Sequence, residues 1–306
     1  MLVKIKNHIA LAACIYRIEI FFRALLALTV LALSMSNAWA TIFSTPLSAA
    51  EWQVHSSPFE CQLSHQISHY GTATFAHKAG EGEVFLLSQE RVRLPEGEAK
   101  ISASEAGWDP EFSAQPLGVA TVNVDKLPVR LETSLAFNMR AELQTGKRVV
   151  VTSAGEDDAM RVVLEPLRFH QANQGYVDCL KTLLPVSYAQ VSRTTIYFDA
   201  GAGQWPATEA KKLDWLIQYV KADRDITQIL IDGHTDSSGA RPRNLEVSQL
   251  RSQQIATYLQ NAGIDSEKMV VRWHGERYPV ASNKSDDGRQ KNRRVTLRLE
   301  RGSPDI

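Results

Sequence analysis

Cysteine is scarce: the 306-residue chain holds three, Cys14, Cys61 and Cys179, too few for a disulfide-dense scaffold or a zinc finger. Neither charge is in surplus. Lys and Arg together number 34, as do Asp and Glu, which excludes the global basic excess of a nucleic-acid binder. The longest apolar run, Ala24 to Leu33, falls well short of the roughly twenty residues that cross a bilayer. Residues 41–190 contain no G-x-S-x-G and no H-E-x-x-H, so no enzyme is legible there. What is present is an ordinary 44% apolar content in a chain long enough for two domains at about 150 residues each. The zero net charge also hides a split: residues 41–190 carry 12 basic and 18 acidic groups, and 191–306 carry 18 and 15.

The first forty residues read as a secretory leader. Basic residues through Arg23 precede the apolar run, and Ala38-Trp39-Ala40 is a small-x-small cleavage site. Cleavage after Ala40 would make Thr41 the first mature residue, in the periplasm. Leu11-Ala12-Ala13-Cys14 matches a lipobox by letter, but the apolar segment before it is too short for a translocation core. With the leader removed, Cys61 and Cys179 remain in an oxidising space and read as one disulfide.

The N-terminal half, 41–184, is strand-like. Short β-type runs at 59–63, 71–77, 83–87, 99–103, 119–124, 149–152 and 160–164 are split by Gly, Pro, Asn and Glu. A β-rich barrel or sandwich is expected. Leu135, Ala136, Met139 and Leu143, and then Tyr176, Cys179, Leu180 and Leu183, recur at helical spacing and predict helices over 133–143 and 169–183. His65, His69 and His77 invite a metal reading, but i,i+4 histidines share a face only on a helix and this stretch alternates like a hairpin. No metal and no cofactor is expected.

After a Pro-initiated linker, 185–193, the pattern becomes α/β over 194–301. Strands are expected at 194–198, 228–232, 269–273 and 295–300, with helices from about 206 and over 245–261 ending at Gly263. This is a βαβαββ-type mixed sheet with helices and an antiparallel edge. On the second helix Val247, Ile255, Tyr258, Leu259 and Ala262 form one apolar stripe, and Arg251 projects from inside it. A structural salt bridge to Asp232 or Asp236 would account for that arginine. So would a receptor in which Arg251 and Asp236 are held apart for a carboxylate and an ammonium of one zwitterion. Asp232-x-His234-x-Asp236 could also ligate a metal, and Asn292-Arg293-Arg294 could contact phosphates; neither has the supporting cluster or charge.

Gly233-His-Thr-Asp236, Asn244, Leu250-Arg251, Asn283, Gly288-Arg289 and Asn292-Arg293-Arg294-Val295 stand in an order that resembles the OmpA-like peptidoglycan-binding domain. The resemblance implies a diaminopimelate-containing stem peptide as ligand. Asp236 and Arg251 would be its main contacts, Thr235 and Asn244 nearby polar groups, and Asp199 and Arg293 further members of the site. The whole layout, a leader, an acidic β-rich half with a cysteine near each end and then this domain, resembles the MotY family of sodium-driven polar flagellar motors. That resemblance implies a non-enzymatic T-ring component that anchors the ring to peptidoglycan. Its N-terminal domain would meet a MotX-like protein and the basal body, and so support PomA/PomB-like stator units. The alternatives are a general OmpA-like envelope tether and a wall-targeted hydrolase. A MotB-like stator is disfavoured, because residues 24–40 carry no Asp or Glu to serve as an ion carrier.

Overall fold

The computed structural model describes residues 41–105, 114–154, 159–201 and 205–302; the expected leader and cleavage site lie outside them. The N-terminal half runs β1 (Thr41–Phe43), β2 (Trp52–Ser56), β3 (Glu60–Ile67), β4 (Gly71–Lys78), β5 (Glu83–Leu87), β6 (Gly97–Ser104), β7 (Gln115–Val122), β8 (Val129–Leu131), α1 (Thr133–Gln144), β9 (Arg148–Ala154), β10 (Ala159–Leu164) and α2 (Phe169–Thr182). Two five-stranded sheets, β1-β10-β9-β6-β7 and β2-β3-β4-β5-β8, share one core. Period-two alternation builds it: along β3, Cys61, Leu63, His65 and Ile67 are buried and the residues between them are not. Phe75, Phe85, Ile101 and Val151 join them from four further strands, and Met139 and Tyr176 from α1 and α2. Cys61 and Cys179 form a disulfide, with their Cα atoms 5.9 Å apart, that ties the start of β3 to the end of α2.

The C-terminal half runs α3 (Tyr188–Val191), β11 (Arg193–Tyr197), α4 (Ala207–Ala222), β12 (Ile226–Gly233), α5 (Arg241–Asn261), β13 (Met269–Trp273), α6 (Asp286–Asn292) and β14 (Arg294–Arg301). The sheet order is β11-β14-β12-β13. β12 and β13 are parallel, and β14 pairs antiparallel with both β11 and β12. The antiparallel strand is therefore interior, where the sequence reading had placed it at an edge. Strand order is set by the path of the chain after α6, which no local pattern encodes.

The stretch 185–193 carries the one-turn helix α3, and Val186 and Val191 are buried in the C-terminal core. The halves touch directly. The Phe59 ring packs 5.4 Å from Tyr219 of α4, and Gln190 Nε2 of α3 donates to the Gly80 carbonyl at 3.5 Å.

Candidate functional site

The segments that follow β11 and β12, the first turns of α5 and the α6–β14 junction meet around one pocket. Its shape depends on close backbone approaches. A Cβ at Gly233 would fall 2.2 Å from the Ser248 carbonyl oxygen, so α5 lies directly on the end of β12 only because this position has no side chain. At Gly288 a Cβ would fall 1.8 Å from the Ser282 carbonyl oxygen, and α6 could not close on its loop. Asn292 completes the frame: its Oδ1 accepts from the amides of Val280 and Ala281, and its Nδ2 donates to the Ala281 carbonyl and to Asn283 Oδ1. Gly233, Gly288 and Asn292 of the motif thus build the scaffold of the pocket.

The pocket encloses about 480 Å³ and is lined by Thr235, Asp236, Asn244 and Arg251, with Arg243, Arg289 and Arg293 around them. Asp236 is 9% exposed. Its Oδ2 accepts from Arg293 Nη1 at 2.8 Å and its Oδ1 from the Ser238 amide at 3.0 Å. Burial alone would raise this carboxyl, but the hydrogen bonds from Arg293 and Ser238 outweigh it and hold the pKa below the ordinary value. Asp236 is an anion at neutral pH, set in a pocket that four arginines line.

Arg251 is 1% exposed and pairs with neither candidate acid. Its Nη2 donates to the carbonyls of Asp199, at 3.2 Å, and Gly201, at 2.6 Å; its Nη1 donates to the His234 carbonyl at 3.4 Å. The guanidinium carbon stands 5.0 Å from the centre of the Phe198 ring, a cation–π contact. Burial, reinforced by Arg293, lowers its pKa to about 10, which leaves it charged. The salt bridge expected as an alternative is absent: Asp232 is taken by Arg272 and by His274 Nε2, and Asp236 by Arg293.

Asp199 reaches the site through its carbonyl alone; its side chain is exposed and its carboxylate is not part of the pocket. Thr235 and Asn244 are buried in the lining, and Asn244 Nδ2 donates to the Gly239 carbonyl and to Glu276. Thr235 Oγ1 has no hydrogen-bond partner among the described residues. Arg243 and Arg289 were missed by sequence reading. Arg243 lies before residue 245, where the helix was expected to begin; Arg241 and Pro242 open it instead. Arg289 was visible only as a letter of the motif.

The rival constellations come apart. His234 stacks on His274 with centroids 5.0 Å apart, and burial pushes its pKa down to about 4, with Arg294 and His274 adding to the shift. No group of three or more His, Cys, Asp or Glu among the described residues is placed to hold a metal ion. Arg294 is buried and donates to the Tyr278 carbonyl at 3.1 Å, so 292–294 is not a solvent-facing basic patch. In the N-terminal half, His65 is buried against Trp52, His69 occupies a turn at φ 64°, and His77 faces another pocket.

The comparisons with known proteins follow the same division. Residues 43–185 match the MotY N-terminal domain and residues 197–293 match the OmpA family. The sodium-type flagellar protein MotY of Vibrio parahaemolyticus is 25% identical over 281 residues, covering 89% of this chain and 95% of that protein. The peptidoglycan-associated lipoprotein of Buchnera aphidicola is 32% identical over 103 residues, covering 34% of this chain and 59% of that one. The crystal structure of the peptidoglycan-associated lipoprotein from Burkholderia pseudomallei shares 27% identity over 35% of this chain and 89% of its own, with a TM-score of 0.33. The chain is a MotY homologue, a MotY N-terminal domain followed by an OmpA-family domain.

Proposed function

We propose that this protein is a periplasmic structural component of the flagellar motor, which holds a basal-body ring to peptidoglycan through its C-terminal domain and supports stator assembly around it. The observation that carries the wall half of this reading is Asp236: an ionised carboxylate almost removed from water, inside a pocket whose other charged groups are mostly arginines. A ligand that satisfies both signs at once carries an ammonium and a carboxylate. Diaminopimelate in a stem peptide offers that pair, with the ammonium on Asp236 and the carboxylate on the pocket-facing edge of Arg251 and Arg293. Thr235 Oγ1 and Asn244 supply neutral hydrogen bonds nearby.

The motor half rests on the MotY match across nearly the whole chain. In this reading the N-terminal domain meets the basal body and a MotX-like partner, PomA/PomB-like stator units follow, and the exported chain begins at Thr41.

Asp236→Asn tests the wall site, since it keeps the shape and removes the charge. Loss of one member of a buried charged pair costs about 2–5 kcal/mol of binding. Co-sedimentation with purified sacculi should fall at least tenfold in apparent affinity while the thermal melt stays cooperative. A folded Asn variant that sediments like wild type would remove Asp236 from the site.

A further inference from the structure

A second groove runs along the same helix as the pocket, one turn further on. Two parallel stripes on α5 line it, Leu250, Gln254 and Tyr258, and Gln253, Thr257 and Asn261, each spaced four residues apart, and Trp205 packs beside Tyr258. The groove encloses about 590 Å³, within the range of small-molecule sites. Among the described residues no charged one lines it. The Trp205 ring is fixed from two sides, edge to face with Phe198 at 6.1 Å and with Tyr258 at 5.6 Å. Tyr258 is fixed in turn, its hydroxyl donating to Asp214 Oδ1 at 2.8 Å. Gln254 Oε1 lies buried without a hydrogen-bond partner among the described residues.

From this set we infer that the groove binds an uncharged pyranose of the glycan strand to which the stem peptide is attached. A rigid indole offers its face to the apolar C–H surface of a sugar ring, and amide and hydroxyl side chains of the lining offer neutral donors and acceptors to its hydroxyl and acetamido groups. A groove for a peptide helix would need more apolar lining than one leucine and two aromatic rings among seven residues, and one for an anion would need a cation.

Position favours the same ligand. The two sites adjoin through Leu250 and Arg251, neighbours in sequence that line different sites, and Gly201 of the pocket stands four positions before Trp205 of the groove. At 1.5 Å per residue, the seven residues from Val247 in the pocket to Gln254 in the groove span about 10 Å along the helix. Diaminopimelate is the third residue of the stem counted from the sugar, and three extended residues also cover about 10 Å. One muropeptide can therefore occupy both sites, and its affinity gains from the linkage. This inference rests on the wall-binding reading of the Asp236 pocket.

The test uses the exported chain and three probes: a stem tripeptide containing diaminopimelate, the N-acetylglucosamine–N-acetylmuramic acid disaccharide with its lactyl carboxyl capped as an amide, and the disaccharide carrying the tripeptide. Wild type should bind the disaccharide-tripeptide about tenfold more tightly than the tripeptide alone. Trp205→Ala should abolish that gain and leave the tripeptide affinity unchanged. Thr257→Glu, at an exposed position outside the aromatic packing, should do the same if the groove is the sugar site, whatever Trp205→Ala does to folding. In wild type the disaccharide alone should shift the side-chain amide resonances of Gln253 and Gln254. The inference is overturned if the sugar adds no affinity in wild type, if the Glu variant keeps the gain, or if light scattering shows that the variants split a dimer seated on the groove. A tripeptide that fails to bind while the disaccharide still shifts Gln253 and Gln254 would sink the Asp236 pocket and leave the groove standing.

Discussion

Arg251 shows how a residue can be central to a site and a poor place to test it. Three backbone carbonyls depend on its guanidinium, and a buried acceptor left without a donor costs about 1–3 kcal/mol. Arg251→Ala should therefore lower the melting temperature by several degrees and weaken wall binding together. Arg251→Lys should rescue part of the stability but little of the binding, because one ammonium cannot reach the 199–201 loop, the His234 carbonyl and a ligand at once. Calorimetry run beside sacculus sedimentation separates the two effects, and a Lys variant that binds like wild type would contradict the assignment. His234 makes a separate prediction about pH. Its folded pKa of about 4 lies below its ordinary 6.5, so between these values the unfolded chain binds the proton that the folded one refuses. Stability should rise as pH rises through this window, by on the order of 3 kcal/mol. It is lost as pH falls from about 6.5 toward 4. His65, also buried with a lowered pKa, adds a term of the same sign. His234→Gln should reduce the slope of melting temperature against pH without abolishing it.

At the scale of elements, the disulfide offers the largest single constraint. It closes a 118-residue separation between β3 and α2, for which the chain-entropy model gives up to about 4–5 kcal/mol. Cys61→Ser or Cys179→Ser should melt earlier and accumulate to lower levels on export, and thiol labelling of the denatured, unreduced wild-type protein should find both cysteines blocked. The pairing was legible from arithmetic and compartment alone. Most long strands were legible too, because their buried faces alternate. β2 and β8 were not: β2 buries only Trp52 of its five residues, and β8 is three residues long. α6 escaped because Asp286 to Asn292 contains no apolar residue; Ser285 Oγ, accepting from the Gly288 amide, caps it. The same limit applied to the site. Asp236, Thr235 and Asn244 were placed by motif, whereas the partner of Asp236 is Arg293, 57 positions away, a pairing that depends on β14 entering the middle of the sheet.

The whole molecule is joined more firmly than a two-domain sequence with a polar connector implies. Phe59, on the N-terminal side, packs on Tyr219. Tyr188 lies under the Arg301 guanidinium at 4.0 Å, and Arg301 in turn donates to Asp223 and to the Tyr219 hydroxyl. The disulfide sits two residues from Phe59 in the chain, and α2 leads to Leu184, whose amide is bonded to Pro58. A load applied at the Asp236 pocket would thus cross to the N-terminal half through packed rings, and the disulfide would share it between β3 and α2. This fixes how a division of labour should be tested. Cutting at 194 would strip Val186 and Val191 from the C-terminal core, so a fragment over 185–301 should fold more stably than one over 194–301. The longer fragment should sediment with sacculi yet stay diffuse in cells, and 41–184 should gather at the flagellar base without binding wall. Neither alone, nor both as separate chains, should restore rotation to cells lacking the gene, because the anchor and the docking surface must share one body. Tracking of swimming cells and fluorescent fusions read these outcomes directly. If 185–301 alone restores rotation, the N-terminal domain is not the docking module. If the two unlinked fragments restore it together, the joint around Phe59 and Tyr219 carries no load.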